Sequence, residues 1–452
     1  MKSAQSSYWL KSGAFSLLER ISLQLFRFGS FYLLVRGLDK GAFGTWTLFL
    51  IICSFFEVLR VGFIQNALVR ALSLADQPET RKQINSASLT LNILLSGVIT
   101  ILLIILYYLE PFIWDAAPLN EMFLIYILTS LLLLPFFHFQ FIQQAHLTFH
   151  GIFLSTLVRH SAFFGYVCWV YFHPELSFNL VQLAFFQAFA AGLGAIVSVL
   201  TAWKYVSFSG HISIKWMMRL VHFGKYVTGT NLGMILMKFL DQILLGAMVS
   251  RVAVADYSTA VRITNLVEVP TQAVASIVYP QSAKKGGQKE GNSNKQLFEK
   301  SVGIILAMII PGGLFVWLFP EWVLNFVAGD RYLDAVPILR LTLISGLFVP
   351  FSRQFSTIMD GIGKPKINFQ LTLGGAILNF IFLLICIPLW EEIGAVIATI
   401  LAYVCIVVAG LVILSKELNV DPLGPIKFAF RLYFKGFWMI WSRTFGRLSS
   451  ST

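Results

Sequence analysis

The sequence predicts an all-α polytopic membrane protein, and three observations carry that prediction. Of 452 residues, 57% are hydrophobic and only 12% charged, with 42 Phe and a mean hydropathy of +0.75; a soluble chain of this length exposes far more charge. Segments 84–109, 176–203, 367–390 and 393–415 contain no Asp, Glu, Lys or Arg, and each exceeds the roughly 20 residues that a helix needs to cross a ~30 Å hydrocarbon core. Charge in the connections is asymmetric. With the N-terminus inside, the inner connections hold 21 Lys and Arg, whereas the outer loops hold four, Arg36, Lys40, Arg251 and Arg331.

Twelve spans are expected. The first, 10–36, is apolar around the stretch ERISLQLFR and runs past Arg36 without a small-residue cleavage site, so it is expected to stay. The second, 43–66, carries Glu57 and Arg60. The third, fourth and sixth (86–108, 122–144 and 180–203) are nearly uncharged, with the fifth at 152–172. The seventh, 220–249, carries Lys225, Lys238 and Asp241, and the eighth, 256–281, carries Arg262 and Glu268. The ninth (300–319), eleventh (367–389) and twelfth (393–415) are again nearly uncharged, with the tenth at 335–358.

The outer loops also carry acids, among them Glu110, Asp115, Glu175, Asp330, Glu391 and Glu392. This distribution puts both termini in the cytoplasm of a multi-pass inner-membrane protein. It also accounts for the net charge of +12, so no nucleic-acid partner is called for. A shift of 211 residues places Gly13 on Gly224, and a shift of 215 places Pro135-Phe136 on Pro350-Phe351. With six spans on either side, these matches favour two six-helix lobes related by a pseudo-two-fold axis along the membrane normal. The expected organisation is an N-terminal lobe at 1–204, a cytoplasmic linker at 205–216, a C-terminal lobe at 217–415 and a tail at 416–452. In the tail Lys427, Arg431 and Lys435 recur every four residues among aromatics. It reads either as an amphipathic helix on the inner membrane surface or as a frayed basic end.

No cofactor or metal is suggested. Cys53, Cys168, Cys386 and Cys405 all lie in hydrophobic segments without paired spacing and read as small core residues. GIGKPK is a turn rather than a phosphate-binding loop, because Pro365 stands where Ser or Thr would hold magnesium. His146 and His150 are four apart but lack nearby acids, which suits interface histidines better than metal ligands.

The charges within the spans concentrate on the first two helices of each half. At 100° per residue, Ser16, Arg20, Gln24 and Arg27 share one stripe, as do Ser258, Arg262, Asn265, Glu268 and Gln272. A full charge facing lipid costs roughly 2.5–3.5 kcal/mol at the helix centre, so these faces are expected to line a hydrophilic, net-basic cavity. Glu57 with Arg60, and Lys238 with Asp241, have the i,i+3 spacing of local pairs and read equally well as structural neutralisation. Arg60 also lies close enough to the inner interface to extend toward it. Arg20 and Arg27, with only Glu19 nearby in sequence, read better as an anion site.

The stretch from Gly13 to Trp46, with the segment around FLDQILLG, DYSTAVRI, Pro270 and Pro280, and later DGIGKPKINF and GAILNF, resembles the Wzx-type oligosaccharide flippases. These belong to the multidrug/oligosaccharidyl-lipid/polysaccharide superfamily. The likeness covers about residues 10–415. It implies a MATE-like fold and no enzymatic activity: a flippase that carries a polyprenyl-diphosphate-linked oligosaccharide across the cytoplasmic membrane by alternating access, for O-antigen, capsule or exopolysaccharide synthesis. On that reading Arg20, Arg27, Lys238 and Arg262 hold the diphosphate. Glu19, Gln24, Glu57, Arg60, Asn231, Asp241, Asn265 and Glu268 are the polar cavity and coupling residues. The implied partners are the lipid-linked oligosaccharide, membrane lipids, a proton or sodium counter-ion and a glycan polymerase. An ion-coupled multidrug exporter of the same superfamily, a membrane-embedded glycan polymerase or glycosyltransferase, and a scaffold subunit are the alternatives. The basic stripe argues against cationic drugs, and the short outer loops argue against an acid-base active site outside the membrane.

Overall fold

The computed structural model describes the backbone of residues 2–173, 175–209, 213–285 and 291–445; side chains at 2–17, 20, 283–292 and 435–445, and at scattered positions between 223 and 280, lie outside the described set. All regular structure among the described residues is helical. In chain order the helices are α1 (Lys2–Gly37), α2 (Lys40–Ser73), α3 (Pro78–Ile113), α4 (Leu119–Ala145), α5 (Phe149–Phe172), α6 (Leu180–Ala202), α7 (Ile214–Met248) and α8 (Arg251–Thr264). They continue as α9 (Glu268–Lys285), α10 (Gly291–Leu318), α11 (Pro320–Ala328), α12 (Val336–Gly346), α13 (Val349–Gly361), α14 (Pro365–Leu418) and α15 (Gly424–Phe445).

Each expected span falls on helix, and the sequence explains where the helices start and break. Asp39 caps α2 by accepting from Ala42 N at 2.9 Å, and Asn179 caps α6 by accepting from Val181 N and Gln182 N. The eighth span is interrupted by a 3-10 turn, Asn265–Val267, immediately before Pro270, whose ring and missing N–H disturb the preceding turn. The tenth breaks between α12 and α13 ahead of Pro350. α14 holds the eleventh and twelfth spans, and its backbone leaves helical geometry at Trp390 and Glu391. The return there is so tight that a Cβ on Gly394 would lie 2.0 Å from Cys386 O.

Among the described residues, seven segments are long and apolar enough to cross a membrane: Lys40–Ser73, Pro78–Ile113, Leu119–Ala145, Leu180–Tyr205, Ser293–Leu318, Asp330–Gly361 and Pro365–Leu418. Their exposed surface is apolar, as at Ile93, Leu94, Ile101, Leu102, Ile104 and Ile105 along α3. Such a surface is stable against lipid and costly against water. The protein is an all-α polytopic membrane protein.

Contacts divide the chain into two compact units, Met1–Phe239 with Ser250–Ala255, and Leu240–Val249 with Asp256–Thr452. The boundary lies inside α7, because the first half of that helix packs on α2: Gly224 stands against Phe63 O, and Gly62 against Thr228. In the first unit α4 packs on α6, α3 and α2, while α5 packs on α1 and α6. Leu68, Ile84, Phe141 and Ile142 form one apolar cluster, and Leu133, Phe136, Ala191 and Ala195 another. The segment after α6 is bound to this unit, with Tyr205, Val206 and Trp216 on the first cluster and Asn85 Nδ2 donating to Ser207 O at 3.1 Å.

In the second unit the core runs through Val278, Phe298, Val302, Phe355, Ile358, Met359 and Leu414. α15 is part of it. Val420 and Ala429 join the cluster, Phe428 sits on Gly303, and Tyr433 Oη donates to Ala307 O at 2.7 Å. Lys427 and Arg431 stay exposed on its outer side, and Lys435 lies outside the described side chains.

Candidate functional site

Three charged side chains of the first unit, Arg27, Glu57 and Arg159, meet where α1, α2 and α5 come together. α5 approaches α1 closely because Gly29 leaves room for the Phe164 ring, which would stand 2.7 Å from a Cβ there; Phe26 also contacts Phe164, with ring centroids 5.6 Å apart. This approach sets Arg27 of α1 within electrostatic reach of Glu57 on α2 and Arg159 on α5. Glu57 and Arg159 form an ion pair, Nη2 to Oε1 2.8 Å. The Arg159 guanidinium also lies over the Phe136 ring, 5.1 Å from its centroid. Arg27 itself is exposed on α1, and His160 lies within reach of both arginines. Among the described side chains of this cluster, two guanidinium groups and one carboxylate leave one positive charge in surplus.

Arg60 does something else. It is 2% exposed, and its guanidinium donates to Ser130 O at 2.7 Å, Ser130 Oγ at 2.9 Å and Ser96 Oγ at 3.0 Å. The expected local pair with Glu57 is not formed, and Arg60 does not extend to the interface. Glu57, half-buried, pairs with the guanidinium that α5 presents, because that of Arg60 is already engaged by Ser96 and Ser130. Arg60 instead ties α2 to α3 and α4.

In the second unit the carboxylate of Asp241 is buried and accepts from Tyr257 Oη and from Gln242 N, the latter at 2.8 Å. Tyr403 of α14 lies within electrostatic reach of Asp241 and Glu268. Asp241 is therefore held by Tyr257 and Gln242. Lys238 is exposed on α7, Arg262 is half-buried near the end of α8, and Asn265 and Glu268 flank the turn into α9. On α1, Glu19 is half-buried and Gln24 exposed. The side chains of Arg20 and Asn231 lie outside the described residues. His146 stacks on Tyr205 with ring centroids 5.1 Å apart.

Sequence reasoning missed Arg159 and His160. The signal was there: an arginine inside the fifth span poses the same problem as Arg27 does in the first. A site with surplus guanidinium charge can hold an anion with two or three oxygens in bidentate fashion, and a carboxylate already bound to one fork can be displaced by it.

Comparisons with known proteins agree with this fold. Residues 9–285 match the family described as polysaccharide biosynthesis protein, and residues 227–385 match MatE. An uncharacterized membrane protein of Methanocaldococcus jannaschii is 28% identical over 192 residues, 42% of this chain and 38% of that protein. A probable low-salt glycan biosynthesis flippase of Haloferax volcanii is 22% identical over 220 residues, 48% of this chain and 47% of that one. The chain thus aligns with less than half the length of either relative. Among solved structures, the lipid II flippase MurJ in an inward closed conformation matches with a TM-score of 0.73 at 13% identity, over 95% of this chain and 92% of that one. An inward-facing multidrug resistance MATE family transporter matches with a TM-score of 0.71 at 17% identity, over 88% and 96%.

Proposed function

Because the chain belongs to the polysaccharide biosynthesis protein family, we propose that it is a flippase for a polyprenyl-diphosphate-linked oligosaccharide. It would act by alternating exposure of its site to the two sides of the cytoplasmic membrane, in the synthesis of a cell-surface polysaccharide such as O-antigen, capsule or exopolysaccharide. The observation that carries the reading is the surplus positive charge of the Arg27–Glu57–Arg159 cluster. A diphosphate head is the membrane-borne anion that suits it. Arg27 makes the first contact, being exposed, and Arg159 completes the fork as Glu57 gives way. Asp241, with Tyr257 and Glu268 in the second unit, couples the cycle to a proton or sodium ion. Both termini face the cytoplasm, and a glycan polymerase consumes the product.

A multidrug exporter shares the fold, but a cationic drug would meet repulsion at this cluster. Deleting the gene and analysing the lipid fraction tests the reading. A lipid-linked oligosaccharide accumulating on the cytoplasmic leaflet is expected. An unchanged lipid-linked pool together with greater sensitivity to cationic drugs would replace it with the exporter.

A further inference from the structure

One face of α3 is polar along most of its buried length: Asn85, Ser88, Asn92 and Ser96 recur at three- and four-residue spacing and are each at most 2% exposed. α4 runs antiparallel to it in a register set by three contacts. Ser96 and Ser130 share the Arg60 guanidinium, Asn92 Nδ2 donates to Leu134 O at 3.4 Å, and Ile84 and Ile142 belong to one apolar cluster. That register sets His138, which is fully buried, level with Ser88.

Five side-chain atoms at these positions are buried without a hydrogen-bond partner: Arg60 Nε, Asn92 Oδ1, Asn85 Oδ1, and both Nδ1 and Nε2 of His138. Their chemistry restricts what can satisfy them. Arg60 Nε donates, the two amide oxygens accept, and in either tautomer the neutral imidazole has one nitrogen of each kind. A metal cation would leave the donors unsatisfied, and an inorganic anion would leave the acceptors unsatisfied. Water does both, and buried groups of this kind are ordinarily bridged by it. The Asn85 end lies beneath the segment after α6, where Asn85 bonds Ser207 O and Ser86 Oγ bonds Ser209 O, and Ser207 is exposed.

We infer that the first unit binds a file of water along α3, open to bulk solvent at Asn85 and ending on the Arg60 guanidinium. The file solvates a cation that has no bonded carboxylate. It thereby hydrates a guanidinium inside a helix long and apolar enough to cross a membrane. The inference is independent of any transported substrate.

X-ray radiolytic footprinting of the full chain in lipid nanodiscs tests it, because bound water is itself the source of hydroxyl radicals. His138 is expected to be oxidised about tenfold or more faster than Phe123, an equally buried α4 residue packed on Phe49. After rapid mixing into oxygen-18 water, the His138 product should take up the heavy isotope within seconds. Asn85→Leu should slow that uptake. Protection of His138 equal to that of Phe123 would remove the water. Oxidation without isotope uptake over minutes would make it a trapped pocket rather than a file, and uptake unchanged in a folded Asn85→Leu protein would remove the assigned mouth. The wild-type measurements decide even where the variant fails to fold.

Discussion

At the scale of single residues, two buried guanidinium groups illustrate how partner choice follows geometry. Arg159 and Glu57 lie 102 positions apart and meet at 2.8 Å. Arg60, three residues from Glu57, spends its donors on Ser96 and Ser130. A double-mutant cycle of Glu57→Gln and Arg159→Gln, followed by denaturation in detergent, should show a coupling of about 1–3 kcal/mol. The matching cycle for Glu57 and Arg60 should fall well below it. Arg60→Lys keeps the charge but cannot reproduce three directed bonds across two helices, so it should cost about 1–3 kcal/mol in the same assay. Stability equal to wild type would mean that the serine clamp contributes nothing. Hydropathy and i,i+3 spacing could not reveal these pairings, because both describe one helix at a time. The identity of the partner depends on how α2, α3, α4 and α5 pack. The arginine at 159 was visible in the sequence as an in-span charge, yet its role became legible only beside Glu57.

At the scale of elements, the close approaches sort the glycines. A Cβ at Gly44 would lie 1.8 Å from Arg251 O, and one at Gly394 2.0 Å from Cys386 O, whereas one at Gly97 meets nothing within 4 Å. Gly44→Ala and Gly394→Ala should therefore lower the melting temperature. Gly97→Ala, mid-helix on α3, should leave it unchanged or raise it, since alanine is favoured by about 1 kcal/mol in a helix. α15 carries a second prediction. The Lys427 ammonium, 2.8 Å from the carboxylate, and Leu423 N hold the Asp421 carboxyl below the usual range. A carboxyl lowered in the folded state contributes stability above its unfolded pKa of about 3.9, and the contribution is lost as pH falls through the lower folded value. Proteolysis of the 419–424 turn should thus be constant from neutral pH to about 5 and rise only below about 4. A rise that begins near pH 6 would contradict the assignment. Most of these elements were legible beforehand. All twelve expected spans fall on helix, whereas the breaks ahead of Pro270 and Pro350 were not anticipated, because the spans 256–281 and 335–358 were each expected to be continuous. The docking of α15 on α10 was not legible either, because a helix with basic and aromatic faces reads the same whether it meets lipid or protein.

At the scale of the whole molecule, belonging to a polysaccharide biosynthesis family and sharing a fold with both flippases and multidrug transporters leaves the cargo to be decided by charge. At the Arg27–Glu57–Arg159 cluster of the first unit the sign of that charge is positive, and one of its helices, α2, is long and apolar enough to cross a membrane. The same distribution predicts that tags at residues 2 and 445 are reached only from the cytoplasmic side, and a cysteine in the Asp330–Ala335 turn only from outside. The central claim is that the Arg27 guanidinium takes part in holding an anionic lipid head. Its most direct test is flipping of a polyprenyl-diphosphate-linked glycan by purified protein in proteoliposomes, comparing wild type, Arg27→Lys and Arg27→Glu at equal folded amounts. Charge reversal should reduce the rate by two orders of magnitude or so, about 2.7 kcal/mol, with Arg27→Lys in between. Flipping by Arg27→Glu at the wild-type rate would contradict the account.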